Sequence, residues 1–196
     1  ACAGCHLSHA GAGYVPGEGP LGAPITLLYD APRYDEVAIG RPMVGTGGGT
    51  LGRMLHRTFR TREQFRIESV LRCVPPGGEV KKDWAQDAAL HCAQYSRPAL
   101  DASPVILAMG GLAIRQALGL WDWDAKKLVE NFHGTVTELP TGQYVVCTYD
   151  PNFIRGNMAL MGTAAFDMSV AEDVAAGRWV PEPIDCVVDP HPEWVR

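Results

Sequence analysis

A three-layer α/β domain (αβα), with helices on both faces of a mainly parallel four-stranded sheet, is what this 196-residue sequence predicts. Three observations carry the prediction. Pro104–Met109 (PVILAM) is an unbroken apolar run that turns at Gly110-Gly111 into the helical spacing of Leu112–Leu118, as a parallel strand buried on both faces does. Ile25–Leu28 is a second apolar run, followed by a glycine-containing loop and by Leu51, Met54 and Leu55 at helical spacing. Along the chain, four strand-like segments alternate with helical ones, the pattern of parallel strands joined by crossovers.

Taken in order, residues 1–24 form a glycine- and proline-rich arm that opens with Cys2-Ala3-Gly4-Cys5. Such an arm stays ordered only if something ties it down. Ile25–Leu28 is the first strand. Residues 29–45 hold two prolines, two glycines and several charges, which predicts a long ordered loop and no helix. Gly47-Gly48-Gly49 then leads into a helix beginning over Thr50–His56, and Arg53, His56, Arg57, Arg60 and Arg62 make its end and the following loop basic. Phe65–Leu71 alternates as a second strand and is closed by Cys73-Val74-Pro75-Pro76. Trp84, Ala88, His91 and Tyr95 show helical spacing around Cys92. Trp121–Phe132 reads as a helix or an irregular excursion, Tyr144–Thr148 as the last strand, and Met161–Ala176 as a closing helix. The first 178 residues form one domain. Residues 179–196 carry four prolines and no period, so they read as a tail or linker to a further domain.

Apolar residues make up 46% of the chain and charged residues 20%, which is ordinary for a globular protein. No run approaches the ~18 apolar residues of a membrane span, and no signal-peptide pattern opens the chain. The expectation is an intracellular, cytoplasmic protein with no membrane partner. The start at Ala1 suggests an excised or processed chain. A net charge of -5 means that any nucleic-acid contact comes from a local basic patch. Six cysteines allow three disulfides or a metal site, and disulfides are the weaker reading without a secretory signal.

A strand, a loop, glycines and a helix present backbone N–H groups to an anion or nucleotide at the carboxyl edge of a sheet. The stretch Tyr29–Gly45, YDAPRYDEVAIGRPMVG, resembles the uracil-pocket motif of the iron–sulfur uracil-DNA glycosylases, family 4 of that superfamily. Their pattern is Gly-Glu-Ala-Pro-Gly, a six-residue acidic stretch, then Gly-Arg-Pro-Phe-Val-Gly, and it aligns without a gap. The resemblance covers about residues 1–176. It implies the uracil-DNA glycosylase-like fold, a part in DNA repair and DNA as the partner, single-stranded included.

Cys2 and Cys5, then Cys73 ahead of a Pro-Pro, then Cys92 on the next helix, follow the order of that family's ligands to a [4Fe–4S] cluster. The same four thiolates would also suit structural zinc. Cys147 lies in an apolar strand and reads as a small core residue; Cys186 has no assigned role.

By the same resemblance, Asp30 stands for the glutamate that orients water or stabilises the cationic sugar; bracing the loop is its other reading. Ala31, Met43 and Ser69 fall at the base pocket. Met43 replaces the phenylalanine that stacks on uracil. Ser69, in Ser69-Val70-Leu71-Arg72-Cys73, replaces the asparagine that pairs with the base edge. Asp150, in Thr148-Tyr149-Asp150-Pro151-Asn152-Phe153-Ile154-Arg155, replaces the histidine that donates to the departing base; its other reading is a cap on the turn before Pro151. The resemblance therefore implies a degenerate site, a DNA-binding domain with uracil excision weak or lost. The alternative is an active glycosylase for uracil or another damaged base, and a non-DNA, metal-stapled interaction domain is a third.

For the DNA surface, Gly45 and Gly48 keep the backbone close, and Asn152, Phe153, Ile154 and Arg155 follow the last strand where the superfamily carries its wedge loop. Arg41, Arg53, Arg57, Lys81 and Lys82 meet phosphates or are ordinary solvated charges. Similar modules precede family A DNA polymerases in some phages, so the tail suggests a polymerase domain in the same polypeptide and a link to DNA replication, by analogy alone.

Overall fold

The computed structural model describes residues 2, 4–80, 82–122 and 124–181, with backbone only at residues 82 and 83. One five-stranded sheet runs in the order β2-β1-β3-β5-β4. Its strands are β1 Ile25–Tyr29, β2 Arg66–Ser69, β3 Val105–Met109, β4 Val136–Glu138 and β5 Tyr144–Thr148. The four expected strands are mutually parallel, and β4 adds an antiparallel edge beside β5. Every residue of β1 and β3 is buried, because helices cover both faces and leave no side for polar alternation.

The helices are α1 Leu7–Ala10, α2 Tyr34–Ile39, α3 Gly45–Arg57, α4 Lys82–Ala102, α5 Gly111–Leu118, α6 Ala125–Phe132, α7 Pro151–Gly156 and α8 Met161–Ala175. Successive strand residues face opposite layers. Leu27 and Leu107 join Leu51 and Met54 of α3 and Met168 of α8 in one core layer. Leu28 and Ile106 join Ala88 of α4, Ile114 of α5 and Leu128 of α6 in the other. Fully burying one such Leu or Ile stabilises the fold by roughly 1.5–3 kcal/mol.

Three local expectations change. Residues 34–39 are helical, not loop: Asp35 and Glu36 occupy the first turn of α2 and Gly40 closes it in a left-handed conformation, a common helix ending. The glycine run lies inside α3, which begins at Gly45. A Cβ on Gly48 would stand 2.3 Å from the Met43 carbonyl, so the loop and the helix meet only over a bare backbone. The segment after β5 is α7, a helix and not a wedge loop.

The arm is tied along the β2 side. Val15 N–H donates to the Arg72 carbonyl at 2.8 Å, and Glu18 and Ile67 exchange backbone hydrogen bonds at 3.0 and 2.8 Å. Beneath it, fully buried Glu68 pairs with Arg66 and Arg72. The Arg72 guanidinium also donates to the Tyr95 carbonyl of α4 at 3.0 Å, so one arginine locks the end of β2 to the helix that carries Cys92.

Candidate active site and metal centre

Asp30 and Asp150 leave the carboxyl ends of β1 and β5 and meet over the mouth of the sheet, the usual ligand position in an open α/β fold. Asp30 Oδ1 accepts the Ala113 N–H of α5 at 2.8 Å. Gly110 has a φ of 106°, and a Cβ there would press within 3.0 Å of the Asp30 carboxylate. Asp150 caps α7: its Oδ1 accepts the Asn152 N–H at 2.6 Å, and Pro151 takes the first helical position. Two cavities, of about 410 and 420 Å³, open on either side of the pair, and both are lined by Asp30, Asp150 and Phe153.

Burial, then the neighbouring Asp150 charge, push the Asp30 carboxyl up to about 7. Burial also raises Asp150, against the hydrogen bonds from Asn152 and the Arg33 charge. Burial and the mutual repulsion of two carboxylates that line the same cavities oppose ionisation of both. Asp30 therefore holds more protons folded than unfolded between its ordinary value of 3.8 and about 7. Its stabilising contribution is complete below that window and is lost as pH rises through it, by up to about 1.4 kcal/mol per pH unit. Urea melts at about pH 5 and about pH 8 are expected to show lower stability at the higher pH, and Asp150→Asn is expected to reduce the difference.

Of the residues expected at the base pocket, Ala31 lines the larger cavity. Met43 and Ser69 are buried, with 0% and 2% of their surface exposed, and line neither cavity. They are sealed by two residues that the sequence reading passed over. Fully buried Tyr29 donates its hydroxyl to Glu36 Oε2 at 2.5 Å. The same carboxyl oxygen accepts the Met43 N–H at 2.9 Å. Burial pushes Glu36 up to about 7. The signal was a tyrosine where the family pattern has its first glycine.

The four cysteines expected as sulfur ligands lie near enough to influence one another electrostatically. The arm pairs with the end of β2 through Tyr14 and Cys73. The Cys73 thiol is pushed up to about 11 by burial and then by negative charge on Cys92, Cys2 and Cys5. Burial raises the Cys92 thiol, against the Arg72 backbone N–H, and the Tyr95 hydroxyl lies 3.7 Å from Cys2 Sγ. No described cysteine is in a disulfide. Among the described residues no group of three or more His, Cys, Asp or Glu side chains is arranged to hold a metal ion. Cys147 is a core residue, as expected, and Cys186 lies outside the described residues.

The family model described as "Uracil DNA glycosylase superfamily" matches residues 16–195. The chain belongs to the uracil-DNA glycosylase superfamily. It is 33% identical to a type-4 uracil-DNA glycosylase of Archaeoglobus fulgidus over 62% of this chain and 60% of that protein. It is 27% identical to a type-4 uracil-DNA glycosylase of Thermotoga maritima, over 80% of this chain and 79% of that one. A type-4 uracil-DNA glycosylase of Pyrobaculum aerophilum is 26% identical over 86% and 87% of the two chains. The family-4 resemblance and the glycosylase fold both hold.

The DNA-facing residues expected from the glycosylase resemblance divide. Phe153 is 58% exposed, stacks on Tyr149 at 6.1 Å and projects beside both cavities; Arg155 is exposed next to it. Ile154 is fully buried in the core, because a helix turns it inward where a wedge loop would have left it free. Arg41 is bound through two of its nitrogens to Glu18, at 2.8 and 2.7 Å, a carboxylate it shares with Arg62. Gly45 adjoins Asp35, and the Asn152 side chain packs against Gly47. Arg53, His56 and Arg57 line a shallow recess with Met158. Lys81 and the Lys82 side chain lie outside the described residues. No described helix is long and apolar enough to cross a membrane.

Proposed function

We propose that the chain is a uracil-DNA glycosylase-type domain, residues 1–178, that binds DNA and carries a [4Fe–4S] cluster, with uracil excision weak or lost. The observation that carries this reading is the carboxyl of Asp150 beside Asp30 at the cavity, one oxygen already engaged in capping α7. A departing uracil is an anion. At that position a hydrogen-bond donor stabilises it, and losing one such donor typically costs about 2.7–4 kcal/mol in the transition state. An ionised Asp150 would add repulsion, up to about 4 kcal/mol at ~4 Å and an effective dielectric near ~20.

Cys2, Cys5, Cys73 and Cys92 would hold the cluster, soft thiolates being the ligands that iron–sulfur units take. When bound it supplies a crosslink between the arm, the end of β2 and α4. A cluster spreads its thiolates around a body larger than one ion. Structural zinc on the same four thiolates is the other reading, and an iron and sulfide assay separates the two.

DNA contact would fall to Phe153, Arg155, Arg53 and Arg57, flanking the cavities and α3. Anisotropy titration of single-stranded DNA is expected to show affinity that falls with added salt. Phe153→Ala should weaken it by about 1–3 kcal/mol, the usual worth of a base–aromatic stack. Salt-independent or undetectable binding would favour the interaction-domain reading.

A further inference from the structure

The hydrogen-bonding groups at the expected base position are occupied from within the chain. Tyr29 closes β1 in register with Ser69 of β2, and both are buried. Glu36 reaches in from α2, 1% exposed, and takes both the Tyr29 hydroxyl and the Met43 N–H. Met43 has a φ of 47°, a left-handed conformation that is strained in a non-glycine residue. Arg62 holds it there from behind, donating to the Met43 and Pro42 carbonyls at 2.8 and 2.7 Å. The strained loop thus aims an amide donor inward, and the donor finds a side chain of the same protein.

We propose that Tyr29 and Glu36 form a built-in surrogate for a nucleobase. The phenol is a planar six-membered ring set against Ser69, and the Glu36 carboxyl occupies the Met43 amide that would otherwise be free for a base edge. The proposal rests on the glycosylase reading for the position of the base slot. It makes Tyr29 the residue that excludes uracil, so the domain meets DNA without admitting a base there.

The test uses free uracil and the full chain, followed by saturation-transfer NMR. The unmodified chain and Tyr29→Phe, which keeps the ring, are expected to show no saturable binding. Tyr29→Gly is expected to bind uracil in the millimolar range and to ignore N3-methyluracil, whose edge is blocked. Uracil binding by the unmodified chain would overturn the proposal, as would a folded Tyr29→Gly that binds neither or both. If Tyr29→Gly does not fold, Tyr29→Ser takes its place under the same criteria. Hydrogen exchange on the unmodified chain adds a reading that needs no variant: the Met43 amide should be as protected as those of β1, and exchange at loop rates would overturn the surrogate. Neither measurement involves DNA, so a failure of DNA binding leaves this proposal standing, and uracil binding by the unmodified chain leaves the DNA-binding reading intact.

Discussion

Exchange of Cys73 for serine is expected to strip the chain of iron and to release the first residues of the arm. Cys73 joins three segments: it follows β2, pairs through its backbone with the arm at Tyr14, and shares its electrostatic surroundings with Cys2, Cys5 and Cys92. A cluster held there closes a loop from residue 2 to residue 92, and the unfolded chain is restrained most by its longest closed loops. Removing a native crosslink from a small domain typically costs about 2–5 kcal/mol. The loss should be local before it is global. Residues 13–18 keep their backbone bonds to residues 67–74, whereas the described residues ahead of Ala12 rely on the thiols, buried Leu7, the His6 stack on Trp84 and a few bonds near α1. Iron and sulfide assay, visible absorption and limited proteolysis check this. Cys73→Ser is expected to be colourless and cut ahead of Gly13, and Cys147→Ser to retain iron.

The second large effect is a gain. Restoring the family residues at three places, Tyr29→Gly, Ser69→Asn and Asp150→His, is expected to raise single-turnover uracil release by at least about 10²-fold, since one donor to a departing anion is typically worth about 10²–10³. The single changes are expected to fall far short of that product. Asp150→His supplies the donor but leaves Tyr29 and Glu36 in the slot, and Tyr29→Gly opens the slot but leaves a carboxylate at the leaving group. Residues that act as one unit are coupled in this way. Additive gains from the three single variants would argue that the slot and the leaving-group position work independently.

Much of this arrangement is legible in the chain. The runs ITLL and PVILAM are central strands because helices cover both their faces, and unbroken apolar character is what such burial demands. Four cysteines at their spacing, with the Gly-Arg-Pro block, carried the resemblance to the family that the chain belongs to. Strand β4 escaped notice because its three residues are no more than half-buried at an edge and carry no period. Helix α2 was hidden by the prolines on either side, although acids in its first turn and glycine after its last are helix signals. Helix α7 is legible in Asp150-Pro151, an N-cap followed by proline, and its turn buries Ile154, which the wedge-loop resemblance puts on the DNA surface. The match of Arg41 to Glu18 could not be read, since the two are 23 residues apart and only the folded arm brings them together. Tyr29 was in plain sight as a substitution for glycine, but its partner Glu36 became visible only once α2 turned that carboxyl inward.

One measurement bears most directly on the central claim, that a glycosylase scaffold survives here around a base site that no longer serves uracil. Iron-replete protein, in excess over a single-stranded oligonucleotide with one uracil, is followed through a single turnover, with abasic-site cleavage as the readout. The expected result is bound DNA and little or no release at neutral pH. Rapid, complete release by the unmodified chain would contradict it, and would mean that Asp150 and Tyr29 do not close the site.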